Sequence, residues 1–287
     1  MVYGIKISAH GEIFVSGDRP SSVRRSFSRA VERRLGALDH VSLETLCRLQ
    51  YGEHQYGLYL ARCAALHRDR PTVLISAGMH GDEPAGVHAC LHFLARVAPR
   101  FRDRFNFVAL PCANPSGFEA DTLETMSGQN LNRLFGTDSS QPEIVAIEQW
   151  LANESPDFRM TVDLHETIPN YRGEGFVESD NPRACYLYET TLDKERRIGR
   201  ELIDSLPTSM PVCRWPRIYL DDNSDGVISY PEACHNPIYG KGTTFDAYLN
   251  GRHTEHSLTT ETPTVWELRM RIAAHLLWLE KALELLA

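Results

Sequence analysis

The stretch that decides the fold is ISAGMHGDEPAG at residues 75–86. Its apolar run, followed by Gly78, Gly81 and Pro84, predicts a strand, a tight turn and the first turn of a helix. His80 and Glu83 lie three residues apart on that turn. An imidazole and a carboxylate are both zinc ligands, and a turn lets them converge on one point. The spacing alone is a weak signal, and the glycine-rich setting at a strand end strengthens it.

A second apolar run leads into polar side chains at residues 161–167, TVDLHET. Catalytic zinc takes three protein ligands and leaves its fourth position for water. His165 therefore completes a set with His80 and Glu83, and the three together predict a site for one zinc ion. Asp163 alternates with His165 along the strand and is placed to orient an imidazole ligand from behind.

Strands and helices alternate along the chain. Short β-branched or aromatic runs bounded by turn residues predict strands at 56–63, 72–77, 106–110, 160–164, 184–189 and 257–260. Apolar residues at helical spacing predict helices at 85–98, 142–152, 192–206 and 265–286. This alternation is typical of an α/β fold with helices on both faces of one sheet. Ligands of such a sheet bind beyond the carboxyl ends of its strands, where His80 and His165 are expected.

Composition excludes several classes of protein. The 287 residues carry 30 Lys and Arg against 38 Asp and Glu, a net charge of -8. This acidic balance argues against non-specific nucleic-acid binding, which needs clustered positive charge. No apolar stretch approaches the ~18 residues of a membrane span, and the first residues lack a secretory signal. The seven scattered cysteines form no C-x-x-C motif. We therefore expect a cytoplasmic protein without a membrane partner.

Further motifs follow one another in the order found in a known family. The chain resembles the zinc metallocarboxypeptidases, which are carboxypeptidase A-like, and most of all compact bacterial members related to the succinylglutamate desuccinylase/aspartoacylase group. The matching segments are HGDEPAG at 80–86, NPSG at 114–117, NLNR at 130–133, DLHE at 163–166, IY at 238–239 and TETP at 260–263. The resemblance implies a mixed, mainly parallel eight-stranded sheet with helices on both faces. It places the catalytic domain at 51–287 and leaves residues 1–50 as an N-terminal extension packed on it.

The resemblance also implies a catalytic carboxylate. Glu261, in the TETP segment, takes the place of the family's general base, which accepts a proton from the metal-activated water and later gives it to the leaving amine. Glu166, next to the ligand His165, is the alternative base. A second metal ion held by Asp82 or Asp163 is the less favoured alternative to a single zinc.

Substrate contacts are implied in the same way. The family holds the terminal carboxylate of its substrate with an Asn-Arg pair, here Asn132 and Arg133, whose planar guanidinium suits two parallel hydrogen bonds. Tyr239 is expected to cover the substrate, with Tyr248 as its competitor. The pocket floor is Asp246 or its neighbour Phe245, and these predict opposite preferences, for cationic or apolar side chains.

One residue of the family pattern is missing. The family places another arginine, which stabilises the oxyanion, between its Asn-Pro turn and its Asn-Arg pair, but residues 115–131 contain neither Arg nor Lys. Zinc alone stabilises the oxyanion, or an arginine from elsewhere substitutes (Arg172, Arg217 or Arg252), or the enzyme is weak or altered. The acidic side chains of that segment would instead favour a cationic group on the substrate.

Three functions follow from these observations. The first is a zinc-dependent, carboxypeptidase-like hydrolase, a metalloprotease that cleaves an amide bond next to a free carboxylate. The second is an N-acyl amino acid deacylase similar to aspartoacylase. The third is a non-catalytic zinc-containing binding protein, which only the missing arginine supports. The expected partner is a peptide or an acyl-amino acid with a free carboxylate.

Overall fold

The computed structural model describes residues 4–7, 13–16, 25–63, 67–234 and 237–286. Its strands, numbered in chain order, are β1 (Gly4–Ile7), β2 (Ile13–Ser16), β3 (Val41–Tyr51), β4 (His54–Cys63), β5 (Thr72–Ala77), β6 (Asn106–Leu110), β7 (Met160–Thr167), β8 (Tyr186–Thr191), β9 (Arg217–Ile218), β10 (Asp221–Asp222), β11 (Val227–Tyr230) and β12 (His256–Pro263). Its α-helices are α1 (Arg33–Leu35), α2 (Pro84–His92), α3 (Ala98–Phe101), α4 (Pro115–Ala120), α5 (Pro142–Glu154), α6 (Gly199–Asp204), α7 (Phe245–Leu249) and α8 (Leu268–Leu286). Single turns of other helix types lie at Ser28–Glu32, Phe93–Val97, Leu131–Arg133, Glu178–Asp180, Lys194–Arg196 and Pro237–Tyr239.

One eight-stranded sheet organises the described residues, in the order β11-β8-β12-β7-β5-β6-β4-β3. Four of its seven pairings are parallel and three are antiparallel. The parallel strands β12, β7, β5 and β6 form a continuous central block. Such a block needs cover on both faces, because its strands are apolar on both sides. The prediction of a mixed, mainly parallel eight-stranded α/β sheet is confirmed.

Alternation along β12 shows what covers each face. Thr260 and Thr262 point to helix α8, where both hydroxyls contact the ring of His275, at 2.9 and 3.2 Å. The residues between and before them, Thr259 and Glu261, face the opposite side and line a cavity together with residues of α7. Helix α2 packs on β5 and β7 and also against α8. One face of the sheet is therefore core, and the carboxyl ends of the central strands border the cavity.

The chain before the sheet packs on it. Phe27, Val31 and Leu35 are buried in the main core, and the backbone N–H of Phe27 donates to the Glu119 carboxylate at 2.8 Å. Strand β3 lies inside the segment predicted as an extension, and it pairs with β4 as the edge of the sheet, with a bulge between Thr45 and Cys47. The division at residue 50 stays a prediction, and the sheet itself begins nine residues earlier.

Predicted and observed elements agree best where the chain is most apolar. The strands at 72–77 and 106–110 have the predicted bounds, and the other four predicted strands overlap observed ones. The polar, largely exposed β3 was not predicted, nor was the short β11. The helix predicted at 192–206 is confined to Gly199–Asp204, because β8 extends to Thr191 and a charged turn follows it. Within the described residues, no helix combines the length and apolar character that crossing a membrane requires.

The largest buried side chain of helix α8 is Trp278. Trp278 is 1% exposed, and its indole N–H donates to the carbonyl of Leu202 at 3.0 Å. We expect Trp278→Ala to lower the free energy of unfolding by about 3–5 kcal/mol, the cost of a cavity of this size. On the same helix, Leu285 is 39% exposed, and Leu285→Ala should cost less than about 0.5 kcal/mol. Urea denaturation of both variants tests this, and equal losses would contradict it.

Candidate metal centre and cavity

Two neighbouring strands deliver the metal-binding candidates to one edge of the sheet. His80 lies in the turn after β5, Glu83 directly precedes α2, and His165 lies near the carboxyl end of β7. The turn is packed against the start of α4. A Cβ atom on Gly81 would stand 2.0 Å from the carbonyl carbon of Gly117, so only glycine fits there, and the sequence folds into this shape because both positions are glycine.

The three side chains meet at the Glu83 carboxylate. Its Oε1 lies 2.6 Å from His80 Nδ1 and its Oε2 lies 2.8 Å from His165 Nδ1. One ligand atom from each residue lies within 4.8 Å of the other two. Burial opposes ionisation of Glu83, but the two imidazoles outweigh it and lower its pKa to about 2. The three residues predicted from the sequence as zinc ligands are therefore together, and the carboxylate among them is charged.

Asp163 supports this cluster from behind, in the place predicted for it. Its Oδ2 lies 3.0 Å from His165 Nε2, and its Oδ1 accepts a 2.7 Å hydrogen bond from the Ser76 hydroxyl. Burial alone would lower the pKa of His165, but Asp163 and Glu83 on its two sides raise it well above its ordinary value. The surroundings of this ring therefore favour a positive charge at the cluster.

These donors fit a zinc ion. Two imidazole nitrogens and a carboxylate oxygen form a set that catalytic zinc uses, with room for water as the fourth ligand. The other ring nitrogen of His80, Nε2, is buried and has no hydrogen-bond partner within the described residues. Glu83 contacts the Nδ1 side of this ring, and a buried ring nitrogen left without a partner fits a side chain placed to hold a metal ion. Asp82, offered above as a ligand of a second ion, is not part of this cluster.

Glu261 faces the same space from the next strand. It is the register partner of His165 in the parallel pair of β12 and β7. Its Oε2 accepts a 3.1 Å hydrogen bond from the Thr167 hydroxyl, which also contacts the hydroxyl of Tyr186 at 3.0 Å. Burial is the main cause that raises the pKa of Glu261 to about 8, and Glu83 adds to it while His165 opposes it. This carboxyl group is thus placed to hold or release a proton near neutral pH.

Glu166, the alternative base, has other partners. Its Oε2 accepts a 2.6 Å hydrogen bond from the backbone N–H of Ala85, and its Oε1 is bound by the guanidinium of Arg271. The side chain is fully buried. Its two oxygens are therefore engaged in fixing the start of α2 and in neutralising Arg271.

A cavity of about 400 Å³ opens above these groups. The predicted substrate residues Asn132, Arg133 and Tyr239 all line it, together with Asp246. Among the described residues, its lining includes six tyrosines and six acidic side chains, which are Tyr171, Tyr186, Tyr188, Tyr219, Tyr230, Tyr239, Glu83, Glu166, Glu174, Asp221, Asp246 and Glu261. The volume lies in the range of small-molecule sites, and the walls are aromatic and acidic.

The alternatives left open by the sequence separate here. Asp246 lines the cavity, whereas Phe245 is fully buried and packs on Phe135 with ring centroids 4.8 Å apart. The backbone N–H of Phe245 donates to Asn132 Oδ1 at 2.8 Å, which turns the amide so that its NH2 group is left for a ligand. Tyr248 is not among the lining residues and packs against Phe135 instead.

None of the three arginines named above as substitutes for the missing one lines the cavity in the described part of the chain. Arg172, Arg217 and Arg252 are absent from its lining. Arg172 pairs with Glu178, and Arg217 pairs with Asp222. The guanidinium of Arg252 stacks on the ring of Tyr248. Arg133 is the only Arg or Lys among the described residues that line it. Its Nε and Nη2 atoms donate to the two carboxylate oxygens of Glu174, at 2.6 and 3.0 Å. Its Cζ lies 3.9 Å from the centroid of the Tyr239 ring.

Sequence reasoning missed several of these residues and misplaced one. Glu174 and Arg271 were not singled out, since neither lies in a matched segment. Arg25, in the basic N-terminal stretch, donates to the carbonyl of Gly81 at 2.8 Å and so braces the metal-binding turn. From the sequence, the position of His256 next to Glu255 and close to His253 predicts a surface loop residue, and this prediction is wrong. His256 begins β12, is 2% exposed and lies 2.9 Å from the Glu189 carboxylate, because the strand starts one residue before its apolar run.

A mixed sheet of this topology with the cluster at its central strand ends defines a carboxypeptidase-like α/β protein. Solved structures share the fold. A Shewanella baltica protein named "Putative metallopeptidase" is 24% identical, with 91% of each chain covered and a TM-score of 0.72. A metallo-carboxypeptidase from Burkholderia cenocepacia is 17% identical, with 90% of this chain and 68% of that chain covered and a TM-score of 0.61.

One further solved structure and one family model are also similar to this chain. A Pseudomonas aeruginosa metallo-carboxypeptidase, solved with (2-guanidinoethylmercapto)succinic acid, is 16% identical over 99% of this chain and 76% of that one, with a TM-score of 0.60. Residues 69–199 match the model of the succinylglutamate desuccinylase/aspartoacylase catalytic domain. A search of curated proteins gave no significant match. The chain therefore has a carboxypeptidase-like fold, and its residues 69–199 are similar to the succinylglutamate desuccinylase/aspartoacylase catalytic domain. Both findings agree with the resemblance of its motifs.

The cluster should bind one zinc ion through all three residues. We expect His165→Ala to weaken zinc binding by more than about 100-fold, since loss of an outer partner alone, as in Asp163→Asn, costs about 10–100-fold. His54→Ala removes an exposed imidazole on β4 and serves as the matched control with unchanged affinity. Competition with a chromogenic chelator gives the affinities. Zinc affinity that survives His165→Ala would remove this residue from the ligand set.

The raised pKa of Glu261 predicts a pH-dependent stability of the zinc-free protein. Between about pH 4.5 and pH 8 the folded state holds a proton that the unfolded state has lost. Its contribution to stability is therefore fully present below pH 4.5 and is lost as the pH rises through 8. Glu261→Gln stays neutral, so its stability relative to wild type should increase across this window. Thermal melts in chelator from pH 4 to 9 measure it, and a constant difference would contradict it.

Proposed function

We propose that the protein is a zinc-dependent hydrolase that cleaves an amide bond next to a free carboxylate, with Glu261 as its general base. One observation carries this proposal. Glu261, the His80–Glu83–His165 cluster and the Asn132–Arg133 pair all line a single cavity. A base, a metal-binding cluster and a carboxylate-binding group are the three parts that such a reaction needs.

The division of labour follows from the positions of these groups. A bound zinc ion would lower the pKa of its water to about 7 and polarise the carbonyl of the substrate. Glu261 accepts the proton of the attacking water and returns it to the leaving amine. Glu166 is the weaker candidate, since Ala85 and Arg271 occupy its two oxygens.

Arg133 and Asn132 are proposed to hold the free carboxylate. The guanidinium offers two parallel N–H donors, and Asn132, fixed by the N–H of Phe245, adds its amide NH2 group. Tyr239 already stacks on the guanidinium and would cover a carboxylate bound there. The segment in which the family has its oxyanion arginine contributes Leu123 to the lining of the cavity. Loss of one such donor costs about 100- to 1000-fold in rate, so we propose a slow enzyme whose oxyanion stabilisation falls to the metal.

Two substrate classes satisfy this arrangement. A peptide with a free C-terminus fits the carboxypeptidase-like fold, and the ligand of the Pseudomonas aeruginosa protein is a succinic acid derivative. An N-acyl amino acid fits the match of residues 69–199 to the desuccinylase/aspartoacylase domain. Both present an amide bond beside a carboxylate. We favour the peptide and keep the deacylase as the second candidate. A non-catalytic zinc protein is least supported, because Glu261 is retained beside the cluster.

The assay for this proposal pairs zinc content with turnover. Release of C-terminal amino acids from a peptide library and hydrolysis of N-acyl amino acids are measured side by side on zinc-loaded protein. We expect Glu261→Gln to keep its zinc and to lose about 100- to 10000-fold in kcat, the usual worth of a general base. Glu255→Gln, on an 83% exposed side chain nearby, is the matched control with unchanged rates. Turnover that withstands Glu261→Gln would exclude this base, and zinc without turnover on either substrate class would favour a binding protein.

A further inference from the structure

The guanidinium proposed to bind the substrate carboxylate already holds a carboxylate of its own chain. The Nε and Nη2 atoms of Arg133 donate two parallel hydrogen bonds to the two carboxylate oxygens of Glu174, the geometry in which a guanidinium binds a carboxylate. The remaining guanidinium nitrogen of Arg133, Nη1, donates to the backbone carbonyl of Asn132 at 2.7 Å. The side chains of Arg133 and Glu174 are only 20% and 23% exposed, so the pair lies largely within the cavity wall. A ligand carboxylate would compete for the same donors.

The backbone presents Glu174 in a way that costs free energy. Residues 173–176 form a tight turn, with the N–H of Phe176 donating to the carbonyl of Gly173 at 2.8 Å. The two central residues, Glu174 and Gly175, have φ angles of +55° and +88°. Glycine, asparagine and aspartate are preferred at such positions, and a residue such as glutamate is disfavoured there. The turn itself would be more stable with glycine or asparagine at this position. The glutamate there instead brings its carboxylate onto Arg133.

The rest of the loop is held without Glu174. The Asn181 amide donates to the carbonyl of Tyr171 at 2.9 Å and accepts from the Tyr219 hydroxyl at 2.9 Å. The rings of Phe176 and Tyr219 pack with centroids 4.8 Å apart. These contacts tie the loop to the opposite wall of the cavity. A purely structural role for the Glu174 carboxylate is therefore not required for the loop to keep its place.

We propose that Glu174 is an internal competitor that occupies the carboxylate-binding position of Arg133 and thereby sets the selectivity of the cavity. This inference rests on the proposed role of Arg133 in binding the substrate carboxylate. A ligand carboxylate must displace Glu174, which can swing toward solvent from its position on the turn. Carboxylates that make additional contacts at the metal or with the tyrosines therefore bind, whereas simple carboxylates bind poorly.

The test uses two small probes that the enzyme cannot cleave next to a carboxylate, 3-phenylpropionate and its amide. Their affinities are measured calorimetrically on the zinc-loaded protein. We expect Glu174→Gln to tighten the binding of 3-phenylpropionate by about two- to fivefold, the worth of a partly exposed ion pair, and to leave the binding of the amide unchanged. Glu174→Asn, which suits the positive φ, should do the same with a better folded turn. In an Arg133→Met background the gain should vanish, as a double-mutant cycle requires for a direct contact.

Glu178→Gln is the matched control, because it removes the same charge from the same loop. Its carboxylate, 48% exposed, pairs with Arg172 and Arg183 rather than with the cavity. Weaker binding of 3-phenylpropionate by Glu174→Gln would mean that Glu174 positions Arg133, and would overturn the competitor role. Equal preference for the acid over the amide in wild type and variants would overturn it as well, while carboxylate recognition stands. If neither wild type nor any variant prefers the acid to the amide, Arg133 does not recognise a carboxylate. The proposed function then loses its substrate contact as well.

Discussion

The buried negative charge of Glu83 is the constraint on which the centre of this molecule depends. A carboxylate removed from water must be compensated on every side, and here two imidazoles and the backbone N–H of Glu166 surround it, the last at 3.0 Å. Meeting that demand requires a turn from β5, a strand end from β7 and the start of α2 at one point. The close approach of Gly81 and Gly117 and the brace from Arg25 serve the same point from outside.

Charges around the centre are arranged in layers. Asp163 and Ser76 stand behind His165, and Arg271 stands behind Glu166. On the open side, among the residues that the structure describes, carboxylates outnumber cations, and the single lining arginine, Arg133, is bound to Glu174. The centre thus attracts a cation with its buried residues, while the cavity above it offers few free donors for an anion. This imbalance connects the missing oxyanion arginine with the pairing of Arg133, since both reduce the positive potential available to a substrate.

Much of the centre could be predicted from the sequence, because its signals are local. The turn at 75–86 and the strand end at 161–167 each combine an apolar run with polar residues at its end, and parallel strands bring such ends together. Glu261 followed from the matched segment, and the register with His165 agrees with it. Glu174 could not be found this way. It lies 41 residues from Arg133 in a loop without periodicity, and both its pairing with Arg133 and its left-handed backbone angle are visible only in the folded chain. Strand β3 was not predicted for another reason. An exposed edge strand needs no continuous apolar run, and such runs were the signal used to predict strands.

That edge strand has a consequence for how the protein meets its own copies. A long strand with free N–H and C=O groups invites pairing with another sheet. Here β3 carries the exposed charged residues Glu44 and Arg48, and the bulge between Thr45 and Cys47 bends and twists the strand, which disrupts a regular ladder. At the other edge β11 has only four residues. Both borders of the sheet are thus unsuited to extension, so the sheet can stay closed to intermolecular pairing at high protein concentration while its carboxyl-end cavity remains open.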